Sequence, residues 1–351
     1  MEVIQCNGCS RKISISHYNV KNRERVLEQP FCSICRGKQI IRRFRGLPVA
    51  ETVTANKTSE ETVQSEDSLE KTLADLNSLI GMDNVKADVN NMISYLEIMR
   101  EREALGIANE QVSLHIVFRG PPGTGKTTVA RILARVYKHL GYLKSGHLEE
   151  TDRSGLVGEY VGHTAVKTNK IIDKALDGVL FIDEAYALSP EGSGNDFGQE
   201  AIATLVKRME DERKRLAVIV AGYSDDMERF LTHNVGLRSR FNTYFDFWHY
   251  NPEELYQMFA SQAKKNVYII NPETEECVRS LLTQLYENRN ETTFGNGRLV
   301  RNIMEMSIRR HAARVAKLSK RSRETLTELH PEDIPSYEEV TRNEGKKKEE
   351  A

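Results

Sequence analysis

Two short runs in this chain have the residue types and spacing for chemistry on phosphates. The first is Gly120-Pro121-Pro122-Gly123-Thr124-Gly125-Lys126-Thr127, with the spacing G-x-x-x-x-G-K-T. Its glycines let successive backbone N–H groups converge on phosphate oxygens, and a helix opening after it adds positive potential. Lys126 would reach the β- and γ-phosphates, and the Thr127 hydroxyl would hold Mg²⁺. The second run is Gly178-Val-Leu-Phe-Ile-Asp183-Glu184, whose carboxylate pair begins 57 residues after Lys126. Two carboxylates ending a buried parallel strand stand where open α/β sheets bind their ligands. Asp183 would reach Mg²⁺ through its water shell, and Glu184 would orient or deprotonate an attacking water. Together the runs imply binding and hydrolysis of a nucleoside triphosphate.

A third constellation lies apart from these. Cys6-Asn-Gly-Cys9 and Cys32-Ser-Ile-Cys35 are two C-x-x-C pairs separated by 22 residues. Each pair presents two thiolates from a tight turn, and four thiolates make a tetrahedral Zn²⁺ site. Redox dithiols and iron are the other readings of the same spacing. Fewer than fifty residues bury little apolar surface, so a metal would supply folding free energy there. Residues 1–47 carry ten Lys or Arg against three Glu, a formal +7. Such a surface suits nucleic acid or an acidic protein, and equally a solvated face on a docking module.

The elements that must position the phosphate chemistry read clearly. Leu114-His-Ile-Val-Phe118 has the apolar character of a buried strand, and Val129, Leu133, Val136 and Leu140 recur as one face of a helix. Upstream, Leu76, Leu79 and Ile80 lead into Gly81, and Asp83 caps a helix with Val85, Val89, Met92, Leu96 and Met99 on one face. A short polar strand is expected near 147–151, and a helix through Ile171, Ile172, Ala175 and Leu176 leads into the Asp183-Glu184 strand. Leu216–Ala221 is a further buried strand. Asn251-Pro-Glu-Glu254 is a capping box with proline at the first helical position, so a new helical region starts there. The organisation expected is a cysteine module over 1–47, a flexible Thr/Ser/Glu-rich linker over 48–70, a nucleotide-binding α/β domain over 71–250, a helical domain over 251–335 and a disordered tail over 336–351.

The phosphate loop and Val179–Tyr186, with Asn77–Met82, Leu156–Thr164, Asp196–Ala201, Ala221-Gly-Tyr223 and Gly236-Leu-Arg-Ser-Arg-Phe241, resemble the AAA+ ATPases. Within them the chain is similar to the stage V sporulation protein K and red-type Rubisco activase group over about residues 69–335. The resemblance implies a three-layer αβα P-loop NTPase core with a C-terminal helical lid. It also implies a ring, usually hexameric, with ATP between neighbouring subunits. It adds Thr128, Ile80 and Gly81 to the nucleotide-contacting residues and makes Tyr160-Val161-Gly162 a central-pore loop, against a core position for Tyr160. It places the arginine finger at Arg238 or Arg240 and a phosphate-reaching lid arginine at Arg298, with Arg301 near the same face. Many relatives carry asparagine or threonine after the strand ending at Ala221, where this chain has Gly222, Tyr223 and Ser224, so the sensor role there stays open.

A formal net charge of −1 over 351 residues gives no global case for nucleic-acid or membrane binding. No apolar run approaches a membrane span, no signal-peptide core opens the chain, and a cytoplasmic location is the expectation. The leading reading is an ATP-driven ring that pulls a client protein through its pore, with the zinc module recruiting the client. A nucleic-acid motor or loader steered by the basic module, and a Rubisco-activase-type chaperone, are the alternatives.

Overall fold

A computed structural model describes residues 3–5, 12–14, 68–107, 112–160, 162–189 and 197–342. The chain divides into two compact units, Met1–Ser65 and Glu66–Ala351. In the first, β1 (Val3–Gln5) pairs antiparallel with β2 (Lys12–Ser14), with Ile4 opposite Ile13. The strands bracket Cys6 and Cys9 in sequence. All four C-x-x-C cysteines lie outside the described residues, as do Val161 and most of the linker.

The second unit is built on a five-stranded parallel sheet. Its strands are β3 (Ile116–Arg119), β4 (Leu148–Thr151), β5 (Gly178–Ile182), β6 (Leu216–Gly222) and β7 (Thr243–Asp246), in the order β4-β5-β6-β3-β7. Central strands of a parallel sheet are covered on both faces and therefore read as continuous apolar runs. The period of two then divides each run between two cores. Ile116, Phe118, Phe181 and Ile219 face one side with α1 (Leu69–Ser78), α2 (Asp83–Ala104) and α3 (Lys126–His139). Val117, Leu180, Ile182, Val218 and Val220 face the other. There they meet α5 (His163–Ala175), α6 (Gly198–Asp211) and α7 (Ser224–His233), α4 (Arg153–Leu156) being a single turn before α5. This is the three-layer α/β/α sandwich. His115, just before β3, accepts a hydrogen bond from Val218 N–H at 3.0 Å, and burial lowers its pKa to about 4.

After α8 (Val235–Arg238) and β7 the chain enters a helical lid. It comprises α9 (Pro252–Lys265), β8 (Ile269–Ile270), α10 (Pro272–Glu287), α11 (Gly297–Ala316), α12 (Arg323–Thr327) and β9 (Glu328–Leu329). The expected capping box at Asn251 is present, with Glu254 N–H donating to Asn251 Oδ1 at 2.9 Å and Asn251 N–H to Glu254 Oε2 at 2.8 Å. The lid has its own core, centred on Leu255, Phe259, Leu282, Leu299, Val300 and Ile303.

Three expectations need correction. Asp83 is the first helical residue of α2 rather than its cap; Met82, with φ 57°, holds the cap position. The linker ends sooner, because α1 starts at Leu69 behind a Ser68 cap. The tail does not begin at 336. Residues 337–342 are helical, Ser336 and Glu339 cap each other, and Val340 is buried in the lid core.

Candidate functional site

The phosphate run leaves β3 and enters α3 with two glycines that no other residue could replace without displacement. At Gly120 (φ +143°) an added Cβ would lie 2.1 Å from Phe247 O, and at Gly123 (φ +71°) it would lie 2.1 Å from Gly295 O. The first contact is with the strand exit beyond β7 and the second with the start of α11. Thr124 Oγ1 donates to Pro121 O at 2.8 Å and fixes the turn. Lys126 opens α3, and its Nζ donates to Gly120 O at 2.9 Å and to Pro121 O at 2.8 Å. Burial lowers the Lys126 pKa to about 8, with nearby Arg298 acting in the same direction and Asp183 and Glu184 opposing.

The carboxylate pair stands at the end of β5, beside β6. Glu184 is in the left-handed region at φ 48°, and its N–H donates to Asp183 Oδ1 at 3.1 Å. A non-glycine residue in that region carries strain of roughly 1 kcal/mol, which here turns the chain sharply and leaves both carboxylates on the same rim. Tyr186 and Tyr223 flank them with ring centroids 6.1 Å apart. Burial raises both phenol pKa values, and the Glu184 charge adds to that.

These groups share one cavity of about 580 Å³, within the range of small-molecule sites. Gly120, Pro122, Gly123, Thr124, Gly125, Lys126, Thr127 and Thr128 line it from the loop, Asp183 and Glu184 from the sheet, Ile80 from the segment before α2 and Arg298 from the lid. Pro121 and Gly81 are not among its lining residues. Pro121 accepts the bonds described above, and a Cβ added at Gly81 would meet the Glu254 carboxylate at 2.5 Å and the Tyr250 ring at 3.1 Å. Several lining residues were not anticipated: Arg131 with its partner Glu150 at 2.8 Å, Tyr250, and from α9 Met258, Ser261, Gln262 and Lys265. Arg301 also lines the cavity, as does Tyr223, whereas Ser224 does not. The cavity thus combines the glycine-rich loop, basic side chains and two carboxylates. That donor set fits a polyphosphate carrying a hard divalent cation.

Residues 116–247 match the ATPase family associated with various cellular activities (AAA), and residues 251–345 match the AAA lid domain. The chain is 38% identical to the stage V sporulation protein K of Bacillus subtilis, over 76% of this chain and 83% of that protein. It is 40% identical to the chloroplastic ribulose bisphosphate carboxylase/oxygenase activase of Cyanidioschyzon merolae, over 74% of this chain and 89% of that protein. The chain belongs to the AAA family of ATPases. Among solved structures, a point mutant of RuvB from Thermotoga maritima aligns with a TM-score of 0.50 at 18% identity, covering 79% of this chain and 73% of that one. That likeness shows the fold. The AAA membership makes the protein an ATP hydrolase, and ATP with Mg²⁺ is what the family implies for the cavity.

Two of the expected arginines lie away from this AAA cavity. Arg238 is exposed, and neither it nor Arg240 lines the cavity. Arg240 is half-buried, donates from Nη1 to Gly236 O at 3.0 Å and lies 3.4 Å from Glu210. Its Nε is buried without a partner among the described residues. Tyr160 is 66% exposed, which removes the core reading for it, and Gly162 follows at φ 80° with open space around it. Among the described residues no helix is long and apolar enough to cross a membrane, and no group of three or more His, Cys, Asp or Glu is placed to hold a metal.

Proposed function

We propose that this AAA ATPase is a ring-forming remodeller that couples ATP hydrolysis to pulling on a client protein. The observation that supports it most is the single cavity uniting Lys126, Asp183, Glu184 and Arg298, while Tyr160 is held out in solvent. In this reading the loop N–H groups and Lys126 take the phosphates, and Thr127 and Asp183 hold Mg²⁺. The magnesium ion would neutralise charge on the transferring phosphoryl group. Glu184 orients the attacking water, and Arg298 closes the site from the lid. Arg238 or Arg240 reaches the site of the neighbouring subunit. An aromatic followed by a small aliphatic and a glycine grips an extended chain without reading its sequence, which is the role assigned to Tyr160, Val161 and Gly162. One relative is a ribulose bisphosphate carboxylase/oxygenase activase, and activation of another protein is in keeping with a remodelling role.

The recruitment role falls to the basic module, with Cys6, Cys9, Cys32 and Cys35 holding Zn²⁺. The experiment uses the full chain carrying Glu184→Gln, which should bind ATP, fail to hydrolyse it and retain its client for identification. If that variant hydrolyses ATP at the wild-type rate, Glu184 has no part in the mechanism. Cys6→Ser with Cys9→Ser in the same background should release bound zinc and the client together while ATP binding stays. Client retention after zinc loss would remove the module from recruitment. Recovery of DNA or RNA with salt-sensitive affinity would favour the nucleic-acid motor.

A further inference from the structure

Three consecutive carbonyls of the phosphate loop accept hydrogen bonds from outside the loop. Asn296 Nδ2 donates to Pro122 O at 3.0 Å, Gly297 N–H to Gly123 O at 3.0 Å, and Tyr250 OH to Thr124 O at 2.9 Å. A loop that turns its N–H groups inward toward phosphate turns its carbonyls outward, and a buried carbonyl left without a partner is costly. Here the partners come from the passage between core and lid and from the start of α11. The seated lid therefore satisfies the outward face of the loop.

Asn296 is suited to this in three respects. It is fully buried, at 0% exposure. Its amide is fully engaged: besides Pro122 O, Nδ2 donates to Phe294 O at 3.0 Å, and Oδ1 accepts from Tyr250 N–H at 3.2 Å. Its backbone sits at φ 48°, ψ −120°, a conformation glycine would hold with less strain. An asparagine kept there needs a side-chain reason, and the bridge from lid to loop supplies one.

We infer that Asn296 and Tyr250 are positioning residues that hold the phosphate loop in its anion-binding conformation by pinning its outward carbonyls to the lid. The inference rests on the reading that the cavity takes ATP by its phosphates. Lid and loop are then coupled in both directions: phosphate that fixes the loop strengthens the seat of the lid, and a lid that lifts loosens the loop. This link runs through the backbone and is separate from the reach of Arg298.

The test uses the full chain and two probes, MgATP and inorganic tripolyphosphate, each competed against a fluorescent ATP analogue. Asn296→Gly deletes the amide and relaxes the backbone, and Tyr250→Phe deletes one hydroxyl and keeps the ring. Each is expected to weaken both probes by the same factor, about three- to tenfold, the worth of one net hydrogen bond. The double variant should weaken binding by less than the product of the two, because both pins act on one loop. In turnover the loss should appear in KM for ATP rather than in kcat. Wild-type affinity for both probes in either variant overturns the inference. So does a loss confined to MgATP, which would place the effect at the base. Lys126→Ala, run alongside, separates the two failures: if it too binds both probes normally, the phosphate-site reading itself has fallen.

Discussion

Lys126 carries a pH prediction that belongs to a single ammonium. Burial holds its pKa at about 8, and a bound triphosphate brings negative charge that raises it again. The bound form therefore holds a proton that the free form has partly lost. ATP binding at pH 8 should take up about half a proton, and affinity should fall as pH rises above 8. Calorimetric titration in buffers of different ionisation enthalpy measures the uptake. Lys126→Arg, with a guanidinium that stays charged, should show none; equal uptake in that variant would assign the proton to another group. At this scale the sequence was most legible for groups close together in the chain. The G-x-x-x-x-G-K-T spacing and the Asp183-Glu184 pair announce themselves locally. Tyr250 and Asn296 do not, because their partners on the loop lie 126 and 174 residues away, and one sequence holds no trace of such a meeting. Tyr223 was an intermediate case: its place after a buried strand marked it, and only the cavity distinguished it from Ser224.

Secondary-structure elements were legible in proportion to how completely burial dictated their pattern. β5 and β6 are buried on both faces and read as apolar runs; β4, whose Leu148–Thr151 is only partly buried, showed itself mainly as a polar interval of the right length. The clearest loss was the helix after Pro335. Its Ser336-x-x-Glu339 spacing is a capping box in plain view, but the charged composition around it reads as a tail. In the structure Glu339 also pairs with Arg310 of α11 at 2.6 Å, and Val340 closes the lid core beside Leu329 and Ile334. Val340→Ala removes two methyl groups from that core, worth about 1.5 kcal/mol. The variant should melt a few degrees lower, with Lys126-dependent ATP binding still measurable once folded. A melting temperature equal to wild type by scanning calorimetry would mean that the last helix contributes nothing to the lid.

At the scale of the whole molecule the question is whether one copy of the chain contains a complete site. The cavity collects Lys126, Asp183, Glu184 and Arg298 from one subunit, while Arg238 and Arg240 lie away from it. In the ring reading proposed above, Arg238 or Arg240 would enter the cavity of a neighbour, through a head-to-tail contact of the kind that closes rings. The consequence is testable with two inactive proteins. Glu184→Gln keeps its arginines but cannot activate water; Arg238→Ala with Arg240→Ala keeps Glu184 but delivers no guanidinium. Each alone should lose at least about 100-fold in hydrolysis, given the 10³–10⁵ that such an arginine contributes elsewhere. Mixed in equal amounts and allowed to assemble, they form some interfaces at which an intact arginine from one meets an intact Glu184 from the other. Random assembly places that combination at about one interface in four, so the mixture should recover up to roughly a quarter of wild-type hydrolysis if interfaces act independently. Repeating the mixture with Arg238→Ala and Arg240→Ala separately then identifies the finger: the variant that is inactive alone and rescued on mixing carries it. A mixture as inactive as its parts, despite assembly by sedimentation, would place the arginines outside the active site and make each subunit's cavity complete by itself.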